Sequence, residues 1–417
     1  MTEPLPTADV ATPTHFGTRW AGRLAAIALG LLLALALAEA LTRLFAPHPR
    51  YPDFIVPDPR VGHLPLPDYR GRATNMFGEF DSVIRTNHEG FRDRDHPLAK
   101  TDGTVRLAFL GDSFTFAEQV DESQSFVRRT EALLGGAPGA PRVECLNFGV
   151  GGDDTYHELL RYEHFARKYR PDLVVLAVYV HNDLLGNAFY LLASGTGRPH
   201  FRLENGRLRF APANSSRQEA ARGASLDHGM RWYQRLQCYN ALQQLLWEVR
   251  QRAKRDRETK EVAAGIVDPW SNEAYRNYRY FAQGRDDPVV READEISRLL
   301  LRRLEEEVRA DGGRLLVVLL PAAENLFPER WSEHVKLLPA LRGLLMDFDR
   351  PFRLVPVWLP DLAASGRILD LRPALRSASS EGKIFFPRDS HYNRRGQEAV
   401  AQALAPWLRP FLVPTKP

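Results

Sequence analysis

Val105-Arg-Leu-Ala-Phe-Leu-Gly-Asp-Ser113 is the stretch on which the reading of the fold turns. A short apolar run breaks on a Gly-Asp-Ser turn and gives way to a helical stretch from Glu122 to Leu134, with Asp121 as candidate N-cap and Gln124 three residues on. Strand, tight turn and helix together form the unit from which parallel sheets are built. The unit recurs outward from there. Arg142–Asn147 is a second strand candidate, Tyr156–Tyr169 a helix opened by the pair Thr155 and Glu158, and Asp172–Val180 a third apolar run. Further on, a helix over about Val290–Ala310 precedes a strand at Arg314–Leu320. A helix near Ser332–Asp347 leads to an expected strand at Phe352–Val357, and Arg394–Leu408 forms the last helix behind Asn393. The alternation predicts an α/β domain over residues 105–410, with a parallel sheet between two helical layers.

Two regions lack this rhythm. Residues 46–104 are rich in Pro, Asp, Arg and Gly, without sustained period, and read as an extended lead-in. Residues 186–287 read as an insert. It carries an Arg-rich helix at about Trp232–Lys260 and an aromatic cluster of Tyr275, Tyr278, Tyr280 and Phe281, taken as packing rather than as a sugar platform. The charge run Glu248–Glu261 interleaves both signs and reads as a solvated helix face in preference to a contact with anionic headgroups or polysaccharide. No internal repeat is visible.

Ahead of these regions, Leu24–Ala38 is uninterrupted Leu, Ala, Ile and Gly, inside a mostly apolar segment from Trp20 to Leu44. That length spans a hydrocarbon core of roughly 30 Å, with Arg23 snorkelling. We expect residues 20–44 to be an uncleaved single-pass anchor in the cytoplasmic membrane, behind a short tail of residues 1–19. The competing reading is a secretory signal cleaved at Ala38-Glu39-Ala40, leaving a secreted protein. Arg19 and Arg23 on the segment's N-terminal side are matched by Arg43 and Arg50 close to its far end, so charge does not set the orientation. An extracytoplasmic domain is the expectation.

Composition narrows the class. Across 417 residues, 44% are hydrophobic and 26% charged, which excludes pervasive disorder and a multi-span transporter. Arginine and lysine total 56 against 52 acidic residues, and 49 of the 56 are arginine. Near-cancellation of charge excludes the concentrated basic stripe of a nucleic-acid binder. The two cysteines cannot form a disulfide framework; Cys145, in an apolar strand, reads as a small buried hydrophobe.

In open parallel sheets ligands bind beyond the carboxyl ends of the strands. Those ends carry Gly111-Asp112-Ser113, then Asn147-Phe-Gly149-Val-Gly-Gly152, then His181-Asn182-Asp183; Asp389-Ser390-His391 stands just before the last helix. Each alone has a bland reading as a polar turn, a loop cap or a surface histidine. Together they fill every role of acyl transfer once. Ser113 is a nucleophile that needs a base. His391 is that base, with Asp389 to fix its tautomer. The Ser113 and Gly152 amides and the Asn182 side chain are donors for an oxyanion. Asp153, Asp154 and His157 suggest metal ligation, but acidic residues in a first helical turn are explained by the helix dipole, so neither metal nor cofactor is assigned.

The order GDS, N-x-G-x-x-G, ND and D-x-H resembles the SGNH (GDSL-type) hydrolases, and Thr86-Asn-His-Glu-Gly-Phe-Arg-Asp93 looks like a lead-in of their membrane-anchored bacterial members. The resemblance implies a flavodoxin-like α/β/α sandwich that cleaves esters, often O-acetyl esters of carbohydrates. It implies Ser113 as nucleophile, His391 as base, Asp389 as its partner, and Gly152 and Asn182 as oxyanion donors. Three departures stand out. Asp precedes His by two residues instead of three, as in the alginate O-acetyltransferase branch, where that motif comes before the serine. His181 replaces the usual Gly before Asn, and Ala117 follows GDSFTF where Gly is common. A membrane-anchored serine esterase is the leading expectation. The alternatives are an O-acetyltransferase of an envelope polysaccharide using the same acyl-enzyme, and a non-catalytic envelope binding protein.

Overall fold

The computed structural model describes residues 16–47, 54–75, 77–135, 141–188, 198–214, 232–265, 270, 273–284, 286–336 and 341–412. Helix α1 (Phe16–Phe45) is followed by two antiparallel hairpins, β1 (Ile55–Asp58) with β2 (Gly62–Pro65), and β3 (Arg70–Thr74) with β4 (Asp81–Arg85). The domain then begins with β5 (Thr104–Gly111), α2 (Ser113–Phe116), α3 (Phe126–Gly135), β6 (Arg142–Asn147), α4 (Thr155–His164), β7 (Leu173–Tyr179) and α5 (Asp183–Gly186). A hairpin of β8 (His200–Glu204) and β9 (Arg207–Ala211) and the long helix α6 (Gln237–Ala263) come next. The parallel pattern resumes with α7 (Pro288–Ala310), β10 (Arg314–Leu320), α8 (Arg350–Trp358), β11 (Ile368–Asp370), α9 (Arg372–Ser380) and α10 (Arg394–Leu408).

The central sheet runs β6-β5-β7-β10-β11, every pair parallel. Numbered along the chain, that order is 2-1-3-4-5, the flavodoxin-like arrangement. Burial explains why the strands read as continuous apolar runs: both faces are covered. Ala108, Leu110, Val174, Leu176 and Val178 pack with Leu159 and Leu160 of α4 and Ile296, Leu300 and Leu304 of α7. Leu107, Phe109, Val175 and Cys145 face the other way, onto Phe126 and Val127 of α3 and Val400, Leu404 and Leu408 of α10. Burial pushes the Cys145 thiol far up, so it is inert at neutral pH.

Four expectations change. The helix expected near Ser332–Asp347 is only the single turn Trp331–His334, and the described residues 341–347 form turns and a bridge from Met346 to Ala282. Phe352–Val357 is not a strand but lies in α8; Phe352, Val355 and Trp358 are buried at helical spacing while Val357 is 70% exposed, and Pro356 could not donate to a sheet. The fifth strand is the three-residue β11, too short to carry a periodic signal. The lead-in is not extended. Its hairpins have strands of four or five residues, and Phe54, Ala73 and Ile84 form a small core with Phe116 of α2. The cap of α4 also shifts by one residue: Asp154 precedes the helix and donates its amide to His157 Nδ1 at 3.1 Å.

Candidate active site

The strand order reverses between β5 and β7, the point in an open parallel sheet beyond which ligands generally bind. Ser113 leaves β5 on one side of it and Asn182 leaves β7 on the other. Asp112 Oδ1 accepts from the Phe114 amide at 2.9 Å, which caps α2 and sets Ser113 at its first position. The Ser113 Oγ lies 2.8 Å from His391 Nε2, and His391 Nδ1 lies 2.6 Å from Asp389 Oδ1. A carboxylate only accepts, so Nδ1 carries the proton and donates to Asp389, leaving the Nε2 lone pair to receive the serine O–H.

A left-handed turn brings the D-x-H pair together. Ser390 sits at φ +69°, and the Phe386 amide donates to the His391 carbonyl at 2.9 Å, so the carboxylate and the imidazole meet across a tight loop. Asn393 Oδ1 then accepts from the Arg395 and Gly396 amides and starts α10. The loop is also held from the lead-in: the Glu79 carboxylate accepts from the amides of Arg388 and Asp389, both at 2.9 Å. Burial pushes the His391 pKa down, but the hydrogen bond and charge of Asp389, with Asp112 and Glu118 nearby, outweigh it and leave a net rise. Burial raises Asp112 to about 6.

Gly152 and Asn182 follow β6 and β7, the two strands that flank β5, and among the described residues no hydrogen bond links either to the Ser113–His391–Asp389 set. Gly152 has φ +84°, a conformation for which glycine carries no steric cost. At Gly149 a Cβ would fall 2.6 Å from Thr115 Cβ and 2.8 Å from the Phe116 amide, so only glycine lets this loop lie against α2. Asn147 ties the two together, donating to the Thr115 carbonyl at 3.1 Å and accepting from the Gly149 amide at 2.9 Å. Asn182 is half-buried, and its Oδ1 has no partner. His181, where the SGNH motif has glycine, lies edge-on to Tyr278 at 4.9 Å and stacks on Phe281 at 5.7 Å, so the insert's aromatic cluster packs against this loop.

Asp153 and Asp154 are fully buried, but Arg161 takes both oxygens of Asp153, one of them at 2.8 Å. Burial raises Asp153; Arg161 and His63 override it and hold the carboxyl down to about 2. His63, Asp153 and His157 do bring three ligand atoms within 4.8 Å of one another. A guanidinium on both carboxylate oxygens is nonetheless the chemistry of an ion pair, and its charge opposes a second cation there. What His63 does hold is the loop: its Nε2 donates to the Gly151 carbonyl at 3.0 Å, one residue before Gly152.

The motif Thr86–Asp93 also gains a physical role. Asn87 Oδ1 accepts from the Glu89 and Phe91 amides and shapes the turn. Arg92, fully buried, then donates to the carbonyls of Phe116 at 3.1 Å, Val83 at 3.0 Å and Val120 at 2.6 Å, and to that of Ala117. Asp93 accepts from the Asn147 amide at 2.7 Å. The lead-in thus clamps the segment that follows the serine. Ala117 within that segment sits at φ +56°, which explains why glycine is common there and predicts that Ala117→Gly stabilises the fold by up to about 1 kcal/mol, read as a higher urea midpoint at unchanged slope.

The motifs and the strand order resemble those of the SGNH hydrolases, and the comparisons with known proteins point the same way. Residues 280–415 match the family described as "SGNH hydrolase-like domain, acetyltransferase AlgX", a segment that holds Asp389 and His391 but not Ser113. Among curated proteins it is similar to the probable alginate O-acetylase AlgJ of Pseudomonas aeruginosa, 31% identical over 111 residues, 26% of each chain. It is also similar to the same-named protein of Pseudomonas syringae pv. tomato, 26% identical over 113 residues, covering 27% of this chain and 26% of that one. The match therefore spans about a quarter of the length of these relatives. A crystal structure of a catalytic mutant of an acetylxylan esterase from Geobacillus stearothermophilus overlays with a TM-score of 0.36 at 11% identity, covering 75% of this chain and 97% of that one. The sheet order, not so distant an overlay, defines the fold.

Proposed function

We propose that this chain is a membrane-anchored serine acyltransferase that moves an acyl group, most simply acetyl, through an ester on Ser113 to a carbohydrate hydroxyl. The observation that carries the reading is the continuous relay Ser113 Oγ, His391 Nε2, His391 Nδ1, Asp389 Oδ1, with both contacts under 3 Å. As His391 takes the serine proton, Oγ bonds to the donor's carbonyl carbon and a tetrahedral oxyanion forms, with the Ser113 and Gly152 amides and the Asn182 side chain as its donors. Collapse breaks the bond to the donor's leaving oxygen, which departs with the proton from His391. The acceptor hydroxyl then loses its proton to His391 as it attacks the acyl-enzyme, and Ser113 recovers its own.

The first half-reaction is the same whether the acceptor is water or a sugar. The alginate O-acetylase relatives support the sugar, which moves transfer ahead of the hydrolysis that the motifs by themselves favour. Acetate release from an acetyl ester, measured with and without oligosaccharide, decides between them. Transfer predicts acetylated oligosaccharide by mass spectrometry and less free acetate. Equal acetate in both, with no acetylated sugar, overturns transfer and leaves an esterase.

The anchor reading is supported by α1, largely apolar and without a buried residue from Trp20 to Phe45, and by Glu39, whose carboxylate accepts from the Gln237 and Cys238 amides at 3.0 Å each. Cleavage at the small-residue site around Glu39 would remove that cap from α6.

His391 also sets the pH dependence. The base works only when neutral, and its pKa is raised, so kcat/KM should fall as pH drops through a value above 6.5. In Asp389→Asn the raising partner is lost. The inflection moves to lower pH while the plateau falls by about 10⁴. An unmoved inflection would show that His391 is not the titrating base.

A further inference from the structure

Helix α6 belongs to the insert and takes no part in the chemistry above. Its N-terminus is tied to the end of α1, through Glu39 on the Gln237 and Cys238 amides and Arg43 on the Arg235 carbonyl at 3.4 Å. If Trp20–Ala38 crosses the hydrocarbon, its rise of roughly 28 Å puts Glu39, and hence the start of α6, at the membrane–water interface. One side of α6 meets the domain: Trp247 lies edge-on to Phe77 at 6.0 Å, and Glu248 stands 3.7 Å from Arg388, the neighbour of Asp389. The side turned away carries Leu242, Leu245, Leu246 and Val249, at i, i+3, i+4 and i+7. They are 50, 57, 37 and 58% exposed. Four large apolar side chains on one face, with exposed Arg250, Arg252, Arg257 and Lys260 following, are the composition of a helix that lies in a bilayer surface.

We propose that α6 docks along the bilayer that α1 spans, its Leu242–Val249 face in the headgroup–acyl boundary and its basic half on anionic headgroups. The inference rests on the anchor reading above and gives the exposed face an occupant, because the structure shows which end of the anchor the helix starts from. The consequence is positional. A surface-bound helix in contact with Arg388 and Phe77 holds the Asp389 loop at a set height over the membrane.

The test uses the full chain in vesicles of phosphatidylcholine and phosphatidylglycerol at 3:1. On a Cys238→Ser background, Leu245→Cys and Val249→Cys carry an environment-sensitive fluorophore, with Ser379→Cys on α9 as the aqueous reference. Docking predicts blue-shifted emission at both α6 sites and stronger quenching by lipids spin-labelled near the headgroup than by lipids labelled deep in the chain, with neither effect at position 379. If both α6 labels emit as position 379 does while the chain resists alkaline extraction, the anchor stands and docking is overturned. If the chain is extracted by alkali, the anchor reading falls, and docking with it. Labels shielded in native membranes but aqueous in these vesicles replace the lipid with a protein partner.

Discussion

Ser113→Ala should abolish turnover of an acetyl ester, with kcat falling by about 10⁶ and the circular dichroism spectrum unchanged. In serine triads the nucleophile is the atom that forms the intermediate, and losing it costs about as much as losing the whole triad. Here Ser113 Oγ is the only hydroxyl in reach of His391 Nε2 among the described hydrogen bonds. The residual rate is what oxyanion donors and binding provide alone. A fluorophosphonate probe gives the same answer without a substrate: it labels the native chain and not the variant. Wild-type activity in Ser113→Ala would remove the acyl-enzyme from the mechanism and return the chain to the class of binding proteins.

The second large effect is on stability. Arg92→Leu should destabilise the domain by about 3 to 5 kcal/mol, read from the urea midpoint. The guanidinium serves four backbone carbonyls in a buried site, and each carbonyl left without a donor costs on the order of 1 kcal/mol or more. Burial lowers the Arg92 pKa to about 10, partly offset by Glu122, Glu118 and Asp121, so the side chain stays charged at neutral pH. Arg92→Lys should recover only part of the loss, because an ammonium offers three donors and no planar fork. Activity should fall with stability, since two of the four carbonyls, Phe116 and Ala117, close the turn behind Ser113. A variant as stable as the native chain would show that the hairpins hold α2 without the arginine.

Of the 49 arginines, Arg92, Arg106 and Arg161 are fully buried among the described residues, each donating to several carbonyls or to a buried acid, which a flexible ammonium would do less well.

What the sequence determined by itself was whatever is encoded locally. Continuous apolar runs mark strands covered on both faces, caps such as Asn393 start helices where they occur, and three motifs occupy strand ends while the D-x-H pair stands before the last helix, in a fixed order. From these the parallel sheet, the anchor segment and the candidate nucleophile and base are legible. Tertiary structure decided everything that depends on residues distant in the chain. Ser113 and His391 are 278 positions apart, and their 2.8 Å contact is made by the sheet and α10. The strands of the lead-in are too short for a period, so its hairpins, and the support that Glu79, Arg92 and His63 give the site, had no local signal beyond an unexplained motif. An apolar spacing such as Phe352, Val355 and Trp358 fits a buried strand or a buried helix until packing chooses between them. The same holds for α6, whose leucines spell an amphipathic helix in sequence but gain a direction only from where α1 ends.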